Sequence, residues 1–283
     1  MRKATADFDL WCEPIIAGGN VVECFRVKGG LNDPSRTVLL LPGYACTGAS
    51  FARQKALAAD WDLRCLTLPE TAASHDGLVR TLAGWVTAAA AVFDRPALLA
   101  TSFSGLVAIE AVSRAPNLFS ALILVSTFAR SPVTGIRRAI VRALVPLGDI
   151  FSALSGRTGA SLAGGPRLDT TASAELHREA RCFSARQRRT RFRAALDADL
   201  RSAAARITPP ALVVHGTEDR LVPSWSGREL ACILPNSELC EIEGAGHLVY
   251  LTHVEPFNRA VDTFLRRALG AGAQSSRALI VQL

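Results

Sequence analysis

The sequence predicts an α/β protein: a mostly parallel, doubly wound sheet of about eight strands, interrupted by one long insertion. Three observations predict it. Short apolar runs recur along the chain, and helix-period patterns separate them. Ser102 stands at the join of one such run and one such helix pattern. Between Phe128 and Ile207 the alternation stops for about 80 residues, a length too great for a plain loop.

The elements follow in order. Residues 9–15 and 21–27 read as two strands joined by Gly18-Gly19-Asn20, a hairpin at the sheet edge. Residues 37–41, 63–66, 97–100, 121–125, 211–215 and 238–242 are short apolar runs, as expected of strands buried on both faces. Helical patterns fill 49–59, 78–93, 105–114, 224–234 and 255–269, and Pro256 beside Glu255 marks a helix start. Inside the insertion, Ile136, Ile140, Leu144, Leu147, Ile150, Phe151 and Leu154 fall at helix spacing, with Pro146 as a kink or break. A Gly-rich stretch, 155–165, follows, then helical patterns over 172–200. The apolar stripe is expected to meet the core, or in part to line a pocket, since ligand pockets are mostly apolar. Residues 270–283 mix Gly, Ala, Ser and Gln and read as a flexible C-terminal tail.

Composition narrows the class. At 283 residues with 49% apolar content, the chain can bury one large core. No apolar run reaches the ~18 residues that a membrane helix needs, so no membrane span is expected. Residues 1–8 lack the apolar stretch of a secretory signal. The seven cysteines (12, 24, 46, 65, 182, 232 and 240) are odd in number and contain no Cys-x-x-Cys, which suits reduced thiols in the cytoplasm. Cys46 reads as a small packing residue. The net charge of +7 is uneven: residues 130–206 hold fifteen Arg, no Lys and six Asp/Glu, so that segment is +9 and the rest is −2. No nucleic-acid signature accompanies it. An Arg-rich solvated helix face explains the count, and so does attraction of an acidic substrate or carrier protein. No metal-ligand cluster and no Gly-rich dinucleotide fingerprint is present, so neither a metal nor a cofactor is implied.

The chemistry-bearing residues lie just past strand ends, where open α/β sheets build their sites. Ser102 sits in Ala100-Thr101-Ser102-Phe103-Ser104, with small residues two before and two after it. That is the pattern of a nucleophile held on a tight strand-to-helix turn; an N-capping serine is the plainer alternative. A serine hydroxyl needs a base, and the base an orienting carboxylate. Glu218 and Asp219 follow the run 211–215 on a Gly-bearing turn. His247 lies in Glu243-Gly244-Ala245-Gly246-His247, past the last apolar run. The other histidines have other readings: His75 near a helix start, His177 exposed on an insertion helix, His215 a core residue or a support for the site, His253 near the last helix.

With these motifs the chain resembles the α/β-hydrolase family over roughly residues 21–269. The resemblance includes Leu39-Leu40-Leu41-Pro42-Gly43-Tyr44, Ser102-Phe103-Ser104-Gly105, Val125-Ser126-Thr127-Phe128-Ala129 and Gly216-Thr217-Glu218-Asp219 with Val222-Pro223. Two positions depart from the usual pattern: Ala100 replaces the first elbow glycine, and Pro42 stands where many relatives carry His. The resemblance implies the α/β-hydrolase fold, with 1–129 and 207–269 as core and 130–206 as an inserted helical cap. It implies Ser102 as nucleophile, His247 as base and Asp219, rather than Glu218, as the acid. It implies the backbone N–H groups of Tyr44 and Phe103 as an oxyanion hole. The expected activity is hydrolysis of a carboxylic ester or thioester of a small-molecule acyl substrate through an acyl-enzyme. Two alternatives use the same residues: acyl transfer, and a catalytically silent ligand-binding protein.

Overall fold

A computed structural model describes residues 10–17, 20–144, 168–270 and 280–282. Nine strands form one sheet: β1 (Leu10–Ala17), β2 (Asn20–Val27), β3 (Thr37–Leu41), β4 (Asp62–Leu66), β5 (Ala97–Thr101), β6 (Leu122–Val125), β7 (Ala211–Gly216), β8 (Ser237–Ile242) and β9 (Ile280–Gln282). Their spatial order is β1-β2-β4-β3-β5-β6-β7-β8-β9. The edge pairings β1–β2 and β2–β4 are antiparallel, and every other pairing is parallel. The ninth strand revises the expectation of a tail over 270–283. Leu239 and Cys240 pair with Ile280 and Val281, and a three-residue strand is too short to announce itself by pattern.

The central strands are apolar on both faces because both faces are covered. Alternate residues serve opposite cores. Leu39, Leu41, Leu98, Ala100, Leu122 and Leu124 pack against α1 (His75–Ala90) and α2 (Phe103–Arg114). Val38, Leu40, Leu99, Ile123, Val125 and Val214 belong to the second core, with Phe257, Val261 and Phe264 of the C-terminal helix Val254–Gly270. The pattern at 49–59 forms a 3-10 helix, Gly48–Ala59, rather than an α-helix.

The insertion leaves and rejoins the core at one place. Ser131 N–H donates to Ala198 O at 3.0 Å, and Leu200 N–H to Ala129 O at 2.7 Å. Between these ends lie α3 (Gly135–Leu144), α4 (Thr170–Ala180) and α5 (Ala185–Asp197), followed by α6 (Arg201–Ala204). Only the start of the expected apolar stripe falls among the described residues. Ile136 and Ile140 are 79% and 53% exposed, so α3 turns them away from the core. Leu147, Ile150, Phe151 and Leu154 lie outside the described residues. After β7 come α7 (Ser224–Ile233), then β8, α8 (Val249–Thr252) and α9 (Val254–Gly270). No helix among the described residues is long and apolar enough to cross a membrane.

Candidate active site

The turn between β5 and α2 sets Ser102 in a constrained backbone, φ 54° and ψ −121°. A non-glycine residue tolerates positive φ only where its surroundings fix it. Here they do. Ser102 N–H donates to Val125 O at 2.8 Å, and the Thr127 hydroxyl donates to Ser102 O at 2.7 Å. A side chain at Gly105 would overlap Thr127, so glycine is what lets α2 approach the end of β6. Ser104 fills the second small position and adds a polar function. Its hydroxyl lies 2.8 Å from Leu41 O and accepts Thr101 N–H at 3.0 Å, tying the elbow to the end of β3. Ala100 is fully buried, consistent with a small residue being sufficient there.

Gly216 closes the next gap. A Cβ there would overlap the carbonyl oxygens of Ala245 and Gly246, so the loops after β7 and β8 touch only because that residue is glycine. The contact brings Asp219 and His247 together. His247 Nδ1 lies 2.7 Å from Asp219 Oδ2, and His247 Nε2 lies 2.9 Å from Ser102 Oγ. The other carboxylate oxygen of Asp219 accepts the N–H groups of Leu221 and Val222, each at 2.9 Å. Burial pushes the Asp219 carboxyl upward. The His247 charge and the hydrogen bonds from His215, His247 and Val222 outweigh it and hold the group well below the usual carboxylate range. Asp219 is buried, whereas Glu218 is exposed. The turn thus presents only the second acid to the imidazole. A hydroxyl facing an imidazole that is itself held by a carboxylate can lose its proton as it attacks a carbonyl.

The backbone around Ser102 suits a developing negative charge. Phe103 opens α2, and the first N–H groups of a helix have no carbonyl partner within it. Gly43 and Tyr44 line the same cavity as Ser102, and a Cβ at Gly43 would lie 3.5 Å from Ser102 Cβ.

That cavity measures about 500 Å3. Its apolar wall comes from both parts of the chain: Phe128 and Leu248 from the core, Val133, Leu176, Phe192 and Leu196 from the insertion. His177, expected to be exposed, is half-buried on this wall, with Nδ1 3.0 Å from Ser173 O. His75 is the first residue of α1, beside Asp76, and His253 is buried beside Thr252. Burial pushes the Cys46 thiol far up, which suits a packing role.

Three further residues bear on the site: His215, expected as a core residue or a support for it, and Glu179 and Arg191, which the sequence did not single out. His215 is fully buried behind the acid, its Nε2 2.9 Å from Val222 O and 3.4 Å from Asp219 Oδ2. Glu179 of α4 accepts the Thr47 N–H at 2.6 Å, and burial pushes its carboxyl up to about 7 against that hydrogen bond. Arg191 of α5 is 1% exposed and reaches the loop after β3. Its signal was periodic: Arg188, Arg191, Phe192 and Ala195 fall at i, i+3, i+4 and i+7, one face of a helix.

A strand-turn-helix serine, a following acid and a later histidine on a parallel sheet define a hydrolase-type architecture. The family model of the α/β-hydrolase family matches residues 38–260, and the chain belongs to that family. Among curated relatives, a pimeloyl-[acyl-carrier protein] methyl ester esterase of Xanthomonas axonopodis is 28% identical over 247 residues, covering 81% of this chain and 94% of that protein. The polyketide synthase ThaQ of Burkholderia thailandensis is 31% identical over 198 residues, covering 62% of this chain. The chain spans only 9% of ThaQ, and 24% of a 2-hydroxy-6-oxononadienedioate/2-hydroxy-6-oxononatrienedioate hydrolase of Pseudomonas putida. Among solved structures, the esterase EaEST of Exiguobacterium antarcticum superposes with TM-score 0.77 at 19% identity, covering 90% of this chain and all of that one (100%). That likeness is one of fold.

Proposed function

We propose that the protein is a serine hydrolase that cleaves a carboxylic ester or thioester through an acyl-enzyme. One observation carries the reading: Ser102 Oγ, His247 and Asp219 stand in a single line of contacts, 2.9 and 2.7 Å long, at the wall of an apolar cavity. Ser102 Oγ attacks the acyl carbon while its proton passes to His247 Nε2. The carbonyl oxygen becomes an oxyanion, held by the N–H groups of Phe103 and Tyr44. The carbon–oxygen or carbon–sulfur bond to the leaving group breaks, and His247 returns the proton to that group. Water then attacks the Ser102 ester with His247 as base, releasing the acid and restoring the serine hydroxyl. Asp219 holds the imidazole in the tautomer that receives the proton at Nε2. Residues 130–206 act as a cap whose apolar side lines the acyl cavity, a common property of such pockets.

A finer reading concerns what carries the acyl group. A second recess, about 520 Å3, lies between Ser74 and His75 of the α1 start and Arg186, Arg189 and Arg193 of α5. Other arginines of the segment are ion-paired: Arg130 with Glu229, Arg138 and Arg142 with Asp197, and Arg201 with Asp199. The three recess arginines have no ion-pair partner among the described residues, and Arg193 Nε is buried without a hydrogen-bond partner. This supports an anionic acyl donor, such as an acidic carrier protein. The relative from Xanthomonas axonopodis, a pimeloyl-[acyl-carrier protein] methyl ester esterase, fits that reading.

The deciding experiment is turnover of a nitrophenyl ester series of increasing acyl length by the wild type and Ser102→Ala. Hydrolysis that depends on Ser102 is expected. Binding of the esters without Ser102-dependent turnover would instead favour a silent ligand-binding protein. Faster ester consumption on adding an alcohol or amine, with the acyl group found on that acceptor, would favour acyl transfer.

A further inference from the structure

We propose that Arg191, a residue of the cap segment, is a positioning residue that builds the oxyanion hole from the far side. The inference rests on the acyl-enzyme reading above and adds a residue to it. One guanidinium touches both residues whose N–H groups face the developing charge. Nη1 donates to Tyr44 O at 2.8 Å, and Cζ lies 5.8 Å from the Phe103 ring centroid. Nη2 donates to Leu68 O at 2.9 Å and approaches Pro69 O at 3.4 Å, while the Phe183 ring sits 4.9 Å from Cζ.

A buried guanidinium usually requires a carboxylate. Arg191 has no such ion pair among the described residues; carbonyl dipoles and aromatic faces replace it. Burial lowers its pKa only to about 10, so it stays charged at neutral pH. The planar fork holds Tyr44 O and Leu68 O through two separate nitrogens in fixed geometry, which the single nitrogen of a lysine does not reproduce.

The loop needs such an anchor. It follows Pro42-Gly43, and glycine leaves the next peptide free to rotate. Rotation of that peptide would swing the Tyr44 N–H away from the oxyanion position, and Arg191 restrains it from the C-terminal side by fixing the next peptide through Tyr44 O. Two more ties from the cap bound the same loop: the Tyr44 hydroxyl donates to Arg188 O, and the Thr47 N–H donates to Glu179. Of these three ties, that from Arg191 is the one made to the Tyr44 main chain. Donors fixed before the charge forms are what an oxyanion hole requires.

The test compares wild type, Arg191→Met and Arg191→Lys on a short nitrophenyl ester. Turnover is expressed per competent serine, counted by complete labelling with a fluorophosphonate. A second readout is inhibition by an alkyl boronic acid, whose tetrahedral adduct on Ser102 occupies the oxyanion position. Arg191→Met is expected to lower kcat per competent site about 30-fold, less than outright loss of a donor, with KM little changed. The boronic acid Ki should rise in parallel, and Arg191→Lys should fall between. A role in folding alone would lower the number of competent sites while kcat per site and Ki stayed at wild-type values, and that result would overturn the proposal. If Arg191→Met gives no folded protein, Arg191→Lys decides: wild-type kcat and Ki in that variant would overturn it equally. A wild type that is not labelled at Ser102 would instead sink the acyl-enzyme reading, and this is seen before any Arg191 variant is made.

Discussion

His215 Nε2 and His247 Nδ1 converge on one oxygen, Asp219 Oδ2, at 3.4 and 2.7 Å. The two histidines meet it from opposite sides of the chemistry. His247 also faces Ser102, whereas His215 is fully buried, and a Cβ on Gly227 would lie 2.5 Å from its Nδ1. His215 therefore has no room to turn, and its Nε2 faces the acid and Val222 O. Replacing it with Phe keeps volume but removes that polar edge. We expect kcat for a short ester to fall about tenfold with KM nearly unchanged, as for a group acting through another. Wild-type kcat in His215→Phe would show the contact to be packing only.

The members of the Ser102–His247–Asp219 line should not contribute equally. Ser102→Ala and His247→Ala are each expected to abolish nearly all turnover, on the order of 10^6 in kcat by comparison with well-studied serine hydrolases. Asp219→Asn should leave more, a loss on the order of 10^4, because it misorients the base without removing it. Glu218→Gln, at an exposed position, should stay close to wild type. A larger loss in Glu218→Gln than in Asp219→Asn would move the acid by one residue.

What the sequence made legible follows from what each residue does alone. Strands β3, β5, β6 and β7 were readable because both of their faces are buried, so all but a few end positions (Thr37, Thr101 and His215) are apolar or glycine. Ser102, Asp219 and His247 were readable because the chain order and strand ends constrain them. The insertion was not. Its arginines enter a sequence as fifteen equal charges, yet on α5 they divide by helical phase. Arg188 and Arg191 fall on the same face as Phe192, which lines the cavity at Ser102, and Arg186, Arg189 and Arg193 fall roughly opposite at ~100° per residue. Ile136 and Ile140 show the converse: helix spacing alone does not say which way a stripe will face. Glu179 gains its role only from a contact made far along the chain, with Thr47, whereas His215 gains its role from a turn that folds Asp219 and Val222 back onto it.

Glu179 gives the fold a pH dependence whose sign is fixed. Its carboxyl is pushed up from 4.5 to about 7 in the folded protein, so the folded state binds the proton more tightly than the unfolded chain. Its contribution to stability is therefore complete below about 4.5, declines as pH rises, and is lost above about 7. Denaturant unfolding of wild type and Glu179→Gln across this range tests it. The neutral variant cannot titrate, so its stability should fall less between these limits. Parallel curves for the two proteins would remove Glu179 as the source.

The Arg186–Arg189–Arg193 recess predicts a difference between substrates rather than a change in the chemistry. A neutral ester reaches Ser102 without help from charge. An anionic thioester would gain from three guanidinium groups that have no ion-pair partner among the described residues. Such attraction weakens as salt screens it over a Debye length of ~8 Å at physiological ionic strength. The measurement is kcat/KM for both substrates as salt rises, in wild type and in a triple Arg→Gln variant at these positions. For the anionic substrate we expect a fall of about tenfold in wild type on going from low to high salt, and little salt dependence in the variant. The neutral ester should be indifferent in both proteins, because these arginines lie on the side of α5 away from the cavity at Ser102. Equal salt responses for the two substrates in wild type would make the recess a solvated surface and would withdraw the acidic carrier from the proposed function, leaving the hydrolysis itself untouched.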